Sequence, residues 1–212
     1  MSDRLADVLR EVAAALNARG VRFALVGGLA VSVRTEPRFT RDVDLAVAAA
    51  DDRGAEAVVG ALAPRYEPVA VLEHEALERL AAVRLARAGQ SPAGVVVDLL
   101  FASSGVEQEM VETAEPLEVF TGTRLHVART GHLLALKVLA RDDRRPQDEV
   151  DLQALLSVAG ADDLVLAEEM LQLIVRRGAN RGRQLVAEWK DLVRGHGDAT
   201  APGDAAGDAT DR

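Results

Sequence analysis

Two aspartates stand two residues apart in a short segment that alternates acidic and aliphatic residues. Asp42 and Asp44 lie within DVDLAV, residues 42–47, and this alternation is the period of a β-strand. Side chains two apart in a strand project from the same face, so the two carboxylates repel each other. A divalent cation would offset that repulsion. A site built from oxygen ligands alone favours Mg²⁺ or Mn²⁺ over zinc.

A third aspartate, Asp98, interrupts the otherwise apolar segment VVVDLLFA at residues 95–102. A carboxylate in an apolar strand is rare unless it is paired or binds a ligand. If this strand lies beside the first, three carboxylates converge, as is needed to hold one or two metal ions against the phosphates of a nucleotide. Taken singly, Asp42 or Asp44 can be a solvated edge residue or a turn cap, and Asp98 can simply end the buried part of its strand.

A pair of glycines, Gly27 and Gly28, follows the β-rich run VRFALV at residues 21–26. Alone, such a pair usually marks only a tight turn. Here it closes a predicted strand and opens a predicted helix, so backbone N–H groups can face an anion. The pair therefore strengthens the interpretation of the aspartates as a phosphate-handling site.

The segment ALVGGLAVSVRTEPRFTRDVDLAV, residues 24–47, resembles the signature of the DNA polymerase β-like nucleotidyltransferase superfamily, a glycine turn and helix followed by an Asp-x-Asp strand. Within it, RFTRDVD at residues 38–44 resembles more narrowly the AbiEii-type nucleotidyltransferases. Those proteins are toxin components of bacterial toxin–antitoxin and phage-defence systems. The third carboxylate of the superfamily corresponds to Asp98.

A second block, residues 136–152, is similar to a segment of the same family that carries a lysine followed by spaced aspartates. Lys137, Asp148 and Asp151 match it, whereas Gln147 stands where a lysine is common, which makes the local charge less positive. Lys137 can alternatively be a surface lysine. We expect Asp148 to cap the N-terminus of its helix whatever else it does.

The resemblance implies an enzyme that moves a nucleoside monophosphate from an NTP to a hydroxyl and releases pyrophosphate, with Mg²⁺ or Mn²⁺ as cofactor. Asp98 would hold the metal that activates the acceptor hydroxyl or act as its base. The implied catalytic residues are Asp42, Asp44, Asp98 and Lys137, the three aspartates being the metal ligands. The implied substrate-binding residues are Gly27, Gly28, Arg38, Thr40 and Asp148.

Hydrophobic periodicity orders these residues along the chain. It predicts helices over residues 3–19, 29–35, 54–62, 75–80, 107–113, 132–141, 148–158, 162–176 and 181–193. It predicts strands over residues 21–26, 42–47, 66–72, 82–86, 95–102, 117–120 and 124–127. Strand signals end near residue 131, so the helices gather in the C-terminal part.

The predicted fold class is α+β, a small mixed sheet flanked by helices (the nucleotidyltransferase fold) followed by a C-terminal helical bundle. We expect residues 1–128 to form the catalytic domain and residues 129–194 a helical domain. Residues 195–212, rich in Gly and Asp, are expected to be a disordered acidic tail, because they carry too little apolar surface to offset the entropy of ordering.

Four histidines show no metal-ligand spacing. We expect His126 in a strand and His74, His132 and His196 at the surface. Trp189 lies among apolar residues at helical spacing and is expected in the core.

Composition excludes several classes of function. The formal net charge is −9, from 25 basic and 34 acidic residues, so any contact with nucleic acid must be local. Cysteine is absent, which removes disulfides and thiolate chemistry, and aromatic residues are only 3%, too few for a base-stacking platform. The chain lacks both an apolar run of membrane-spanning length and a secretory signal, so we expect no membrane association and a cytoplasmic location.

The acceptor stays open at the level of sequence. The resemblance suggests tRNA 3′ ends or a protein side chain, and an antitoxin protein is a further candidate partner. Seven arginines of the helical part could form a basic strip, although such residues usually solvate helix surfaces: Arg141, Arg144, Arg145, Arg176, Arg177, Arg181 and Arg183. The acidity favours a small hydroxyl compound, which keeps an antibiotic-modifying nucleotidyltransferase as an alternative. A non-catalytic module that binds a nucleotide or partner is the other alternative.

Overall fold

The computed structural model describes residues 3–90, 94–142 and 146–200. Within these ranges the chain forms seven strands: β1 (Phe23–Val26), β2 (Asp42–Val47), β3 (Tyr66–His74), β4 (Arg79–Arg87), β5 (Val96–Leu100), β6 (Glu115–Phe120) and β7 (Thr123–Val127). It also forms eight α-helices: α1 (Asp3–Asn17), α2 (Gly27–Arg34), α3 (Asp52–Leu62), α4 (Glu107–Glu112), α5 (Thr130–Ala140), α6 (Pro146–Val158), α7 (Ala161–Arg176) and α8 (Leu185–Thr200).

The seven strands join one mixed sheet in the order β3-β4-β5-β2-β1-β7-β6. β2 pairs in parallel with β5, and β1 pairs in parallel with β7, while the other neighbours are antiparallel. This topology places β2 and β5 side by side in the middle of the sheet. The predicted α+β class with a mixed sheet and C-terminal helices is confirmed.

Strand β2 shows how the alternating pattern sets the two faces of the sheet. Val43 and Leu45 are fully buried in the core, whereas Asp42 and Asp44 project from the opposite face and are half-buried. The same alternation on β5 buries Val97 and places the side chain of Asp98 on the face of the other aspartates.

The β3–β4 hairpin differs from the prediction. A helix was expected over residues 75–80, but only a 3₁₀ helix forms, at Glu75–Leu77, and β4 begins at Arg79. Glu78 adopts a left-handed conformation with φ of 49°, which ends the helical turn, and Arg79 then pairs with His74 across the hairpin. Cross-strand pairing therefore overrides the weak local helical preference.

One continuous hydrophobic core joins the sheet and the helical part, and Trp189 lies within it as predicted. Helix α2 packs against both α5 and α6, which brings the glycine bend close to the C-terminal helices. Helix α8 continues to Thr200, so the predicted tail is helical at its first residues, and residues 201–212 lie outside the described part of the chain. Among the residues that the structure describes, no helix is long and apolar enough to span a membrane.

The expected surface position of His132 is wrong. His132 lies in the first turn of α5 and is only 1% exposed. Helix α5 packs against α2, α6, α7 and α8, so residues around its circumference are buried and periodicity could not indicate a solvent face. His126 lies exposed in β7 as predicted, and His74 and His196 are half-buried.

Candidate active site

Asp42, Asp44 and Asp98 occupy adjacent positions on two neighbouring strands. In the parallel pairing of β2 with β5, Asp44 lies directly opposite Asp98, and Asp42 lies opposite Val96. Because side chains that are opposite in neighbouring strands share a face, the carboxylates of Asp44 and Asp98 project side by side. The two strands are therefore neighbours, as the convergence of the three acids requires.

The environment of Asp44 strongly opposes its ionisation. Burial raises the pKa of Asp44 from 3.8 to about 7, and the negative charges of Asp98 and Asp42 add to this effect. The positive charges of Lys137 and Arg84 lower the pKa only in part. A positive charge placed beside Asp44 would therefore favour its ionised form.

Arg84 joins the cluster from β4, on the far side of Asp98. It lies opposite Asp98 in the antiparallel pairing of β4 with β5. Its Nε donates to Oδ1 of Asp98 at 2.8 Å, and its Nη2 donates to Oδ2 at 2.6 Å, so both carboxylate oxygens are bound. Arg84 was not predicted as a site residue, although it interrupts the apolar run LAAVRLA just as Asp98 interrupts its own strand.

The donor set fits a hard divalent cation. Asp42 and Asp44 offer two carboxylates on one face, where burial and acidic neighbours disfavour the ionised form of Asp44, and oxygen ligands are those that Mg²⁺ and Mn²⁺ prefer. Within residues 3–90, 94–142 and 146–200, no group of three or more His, Cys, Asp or Glu side chains is arranged to hold a metal ion. Asp98 directs both of its oxygens to Arg84, so it would have to turn in order to join the pair.

The glycine bend lies directly against Asp44. Gly27 begins α2 with φ of +65°, and a methyl group added there would lie 2.0 Å from Oδ2 of Asp44. A side chain at this position is therefore excluded both by the backbone conformation and by space. Val26, the N-cap of α2, provides no side-chain acceptor, so the first N–H groups of the helix can receive an anion.

Arg38 lies across the same helix terminus. A methyl group on Gly28 would lie 2.5 Å from Nη2 of Arg38, so the second glycine makes room for the guanidinium. Nη2 of Arg38 donates to Asp151 at 2.6 Å, and Nη1 donates to the carbonyl of Phe39 at 3.1 Å. Arg38, from the segment of residues 24–47 that resembles the superfamily (the first block), is thus held by Asp151 of the second block, residues 136–152.

Lys137 completes this second cluster. Its Nζ lies 2.7 Å from Oδ1 of Asp148 and 2.7 Å from Oδ2 of Asp151, and its side chain is only 12% exposed. The alternative of a surface lysine is therefore wrong. Asp151 is fully buried, and its pKa is lowered because hydrogen bonds from Lys137, Arg38 and Gln147 outweigh the effect of burial.

Asp148 does not occupy the N-cap position of its helix, contrary to expectation. Helix α6 begins at Pro146, so Asp148 is its third residue and turns its carboxylate to Lys137 on α5. Oδ2 of Asp148 is buried without a hydrogen-bond partner. Thr40, the remaining predicted binding residue, is half-buried between α2 and β2.

The family model for "Nucleotidyl transferase AbiEii toxin, Type IV TA system" matches residues 7–205. The chain belongs to the AbiEii family. The match covers the whole sheet and the described helices from α5 to α8, and thus both clusters of the candidate site. A search of curated proteins gives no match.

Solved structures share the fold of this AbiEii protein. An antigenic nucleotidyltransferase-like protein from Paracoccidioides brasiliensis aligns with a TM-score of 0.54 at 19% identity, over 89% of this chain and 93% of that one. The antibiotic-resistance factor ANT(2″)-Ia aligns with a TM-score of 0.55 at 16% identity, over 93% of this chain and 100% of that one. At such low identity the likeness establishes the nucleotidyltransferase fold and nothing finer.

Most arginines of the predicted basic strip that the structure describes form ion pairs within the fold. Arg141 pairs with Glu149 at 2.8 Å, and Arg177 pairs with a carboxylate of α4 at 2.6 Å. Arg183 pairs with Glu188 and donates to the carbonyl groups at the end of α5, so it caps that helix. The strip is thus largely neutralised, and residues 144 and 145 lie outside the described ranges.

A cavity of about 710 Å³ lies apart from the aspartates. It is bounded by α3, β3 and β4, and its acidic lining includes Asp52, Glu56 and Glu73. Asp42, Asp44 and Asp98 do not contribute to it. The size of this cavity therefore does not identify it as the site for a nucleotide.

Proposed function

We propose that this AbiEii protein transfers a nucleoside monophosphate from an NTP to a hydroxyl group of an acceptor and releases pyrophosphate. The observation that carries the proposal is the position of Asp44, which lies opposite Asp98 on a neighbouring strand and in contact range of the Gly27 bend. Carboxylates beside an open helix N-terminus suit a substrate that combines phosphates with a divalent cation.

The triphosphate would lie over the N-terminus of α2. The phosphates would approach the first backbone N–H groups of this helix, beside Asp44 and Arg38, which lie against Gly27 and Gly28, and the helix dipole favours their negative charge. Arg38 can bind phosphate oxygens with its guanidinium, and Lys137 can act as a point charge. Lys137 belongs to the helical part proposed to begin at residue 129, so the proposed catalytic domain, residues 1–128, needs that part to complete its site.

The carboxylates would bind and orient the reacting groups. Mg²⁺ or Mn²⁺ held by Asp42, Asp44 and, once it turns from Arg84, Asp98 would neutralise the charge on the attacking and leaving oxygens. The acceptor oxygen forms a bond to the α-phosphorus, the bond from that phosphorus to the bridging oxygen breaks, and pyrophosphate leaves. The proton of the acceptor hydroxyl passes to the carboxylate of Asp98. Positioning and charge stabilisation carry a transfer of this kind.

The family match supports a role in a toxin–antitoxin system. The acceptor that we propose in that setting is tRNA or a protein, as the resemblance in sequence suggests. ANT(2″)-Ia, which shares the fold, is described as an antibiotic-resistance factor and has been solved with adenylyl-2″-tobramycin. A net charge of −9 suits a cationic acceptor of that type, so an antibiotic-modifying activity is the second candidate function.

Incubation with each α-labelled NTP, Mg²⁺ and either total tRNA or a panel of aminoglycosides and lincosamides tests the proposal. We expect label to pass to one acceptor class together with stoichiometric release of pyrophosphate. Asp98→Asn should abolish both signals, and Glu118→Gln, on the peripheral strand β6, should leave both unchanged. Binding of NTP without release of pyrophosphate across the whole panel would instead identify a non-catalytic nucleotide-binding protein.

A further inference from the structure

Three charged side chains form a row across three adjacent strands. Asp44 on β2 lies opposite Asp98 on β5, and Asp98 lies opposite Arg84 on β4. Registered positions share one face of a sheet, so Asp98 stands between a carboxylate on one side and a guanidinium on the other. It can turn to either neighbour, and it directs both oxygens to Arg84.

Asp98 binds the charged end of Arg84, and the side chain of Arg84 is partly exposed. Its side chain is 46% exposed, whereas that of Asp98 is 14% exposed. The pair itself is bidentate and strong, but once a cation draws Asp98 away, the half-exposed guanidinium of Arg84 can be solvated by water and is not left buried without a partner. The pairing is thus one that a competing cation can replace.

We propose that Arg84 is a built-in competitor for the proposed cation site: it occupies the carboxylate of Asp98 and must be displaced before Asp98 can join Asp42 and Asp44. The inference rests on the proposed function, because it takes the three aspartates as the cation-binding group. Arg84 thereby limits the affinity of the site for divalent cations and keeps Asp98 from acting until the cation is bound.

A permanent supporting role for Arg84 has the opposite consequence. A residue that only orients a ligand by hydrogen bonding strengthens metal binding, and its loss weakens binding. A competitor places positive charge where the cation must lie, and its loss strengthens binding. The sign of the change in affinity therefore separates the two roles.

The test is the affinity of the full chain for Mn²⁺ alone, measured without nucleotide by the paramagnetic resonance signal of free Mn²⁺. Arg84→Gln removes the charge and keeps an amide donor, and we expect the dissociation constant to fall by about tenfold because the competing charge is gone. Arg84→Lys keeps the charge and should stay near the wild type. The matched control is Arg79→Gln on the same strand, since Arg79 forms a similar ion pair with Asp52 at 2.8 Å outside the cluster. It should change the constant by less than about twofold.

The melting temperature of the same proteins is a second measurement, and it does not depend on catalysis. In EDTA, Arg84→Gln should lower the melting temperature, because Asp98 loses its ion-pair partner, and Mn²⁺ should raise it by more than in the wild type. If Asp44→Asn abolishes the binding of Mn²⁺ but Arg84→Gln binds Mn²⁺ no more tightly than the wild type, the competition is overturned and the proposed function stands. Absence of Mn²⁺ binding in wild type and Arg84→Gln alike contradicts the cation site itself, and the competition with it.

Discussion

Lys137 on α5 forms an ion pair with the buried carboxylate of Asp151 on α6, over 2.7 Å. The same carboxylate receives Arg38 from the segment before β2, so it fixes two basic side chains beside the glycine bend. Asp151 thus connects the two sequence blocks that resemble the family, and it does so from a position with no access to solvent.

Replacing Asp151 by Asn should destabilise the protein strongly. Removing one partner of a buried ion pair leaves its cations unbalanced, which typically costs about 3–5 kcal/mol. Urea unfolding near neutral pH measures the loss. The control is Glu149→Gln on the same helix, because Glu149 pairs with Arg141 where both side chains are 41% exposed, and such pairs contribute less than about 1 kcal/mol. Equal losses in the two variants would show that Asp151 is not a buried anchor.

The raised pKa of Asp44 predicts that this residue destabilises the metal-free protein at high pH. The folded state holds the proton up to a pH of about 7, whereas the unfolded state releases it near 3.8. The unfavourable contribution of Asp44 is therefore absent at low pH, grows between these values and is complete above the upper one. In EDTA at about pH 8, Asp44→Asn should be more stable than the wild type by up to about 4 kcal/mol.

The control for Asp44→Asn is a substitution of opposite sign. The pKa of Asp52 is lowered by hydrogen bonds from Arg79 and the backbone of Leu80. Asp52→Asn should therefore lose stability at neutral pH, and the loss should shrink as the pH falls through the lowered pKa. An advantage of Asp44→Asn that is independent of pH would refute the assigned cause.

Gly27→Ala should disrupt the site through the backbone. Its φ of +65° and the approach of Asp44 leave no space for a methyl group, so we expect a loss of about 1–3 kcal/mol and of NTP binding. Gly60→Ala in α3 is the matched control, because nothing lies within 4 Å of the added methyl group. That change should stabilise the protein by about 0.4–1 kcal/mol, as measured by thermal unfolding. A neutral Gly27→Ala would show that the bend tolerates side chains.

His132 should make the protein sensitive to acid. Burial, reinforced by the charge of Arg129, lowers the pKa of His132 from 6.5 to about 4. As the pH falls from 6.5 to about 4, His132 binds a proton in the unfolded state but not in the folded state. The free energy of unfolding therefore falls by up to about 3 kcal/mol. His132→Gln should remove this slope from unfolding measured across the same pH range, and exposed His126→Gln should keep it. A slope that survives in His132→Gln would assign the sensitivity to other groups.

Local pattern predicted the parts of the site that depend on strand periodicity. The alternation in DVDLAV and the single acid in VVVDLLFA indicated which residues share a face, and the pairing of β2 with β5 joined them. Arg84 gave the same signal, a charge inside an apolar run, and was overlooked because its sign does not suit a cation site. A basic residue beside predicted acids deserves the same scrutiny as the acids.

The features that the sequence did not predict depend on packing between elements that are far apart in the chain. Asp148 was expected at a helix terminus, but the side chain of Lys137 on another helix takes up its carboxylate. His132 is buried because four helices surround α5, and no local periodicity records how many neighbours a helix has. The burial of Asp151 likewise depends on α2 and α5 packing against α6.

The central claim is that Asp42, Asp44 and Asp98 act together beside the Gly27 bend on a nucleotide. The most direct measurement is a crystal structure with Mn²⁺ and a non-hydrolysable NTP, recorded with anomalous scattering. The account predicts an anomalous peak bound by oxygens of Asp42 and Asp44, with the triphosphate over the N-terminus of α2 and Asp98 turned away from Arg84. A nucleotide bound in the cavity between α3 and the β3–β4 hairpin, with no peak at the aspartates, would contradict it.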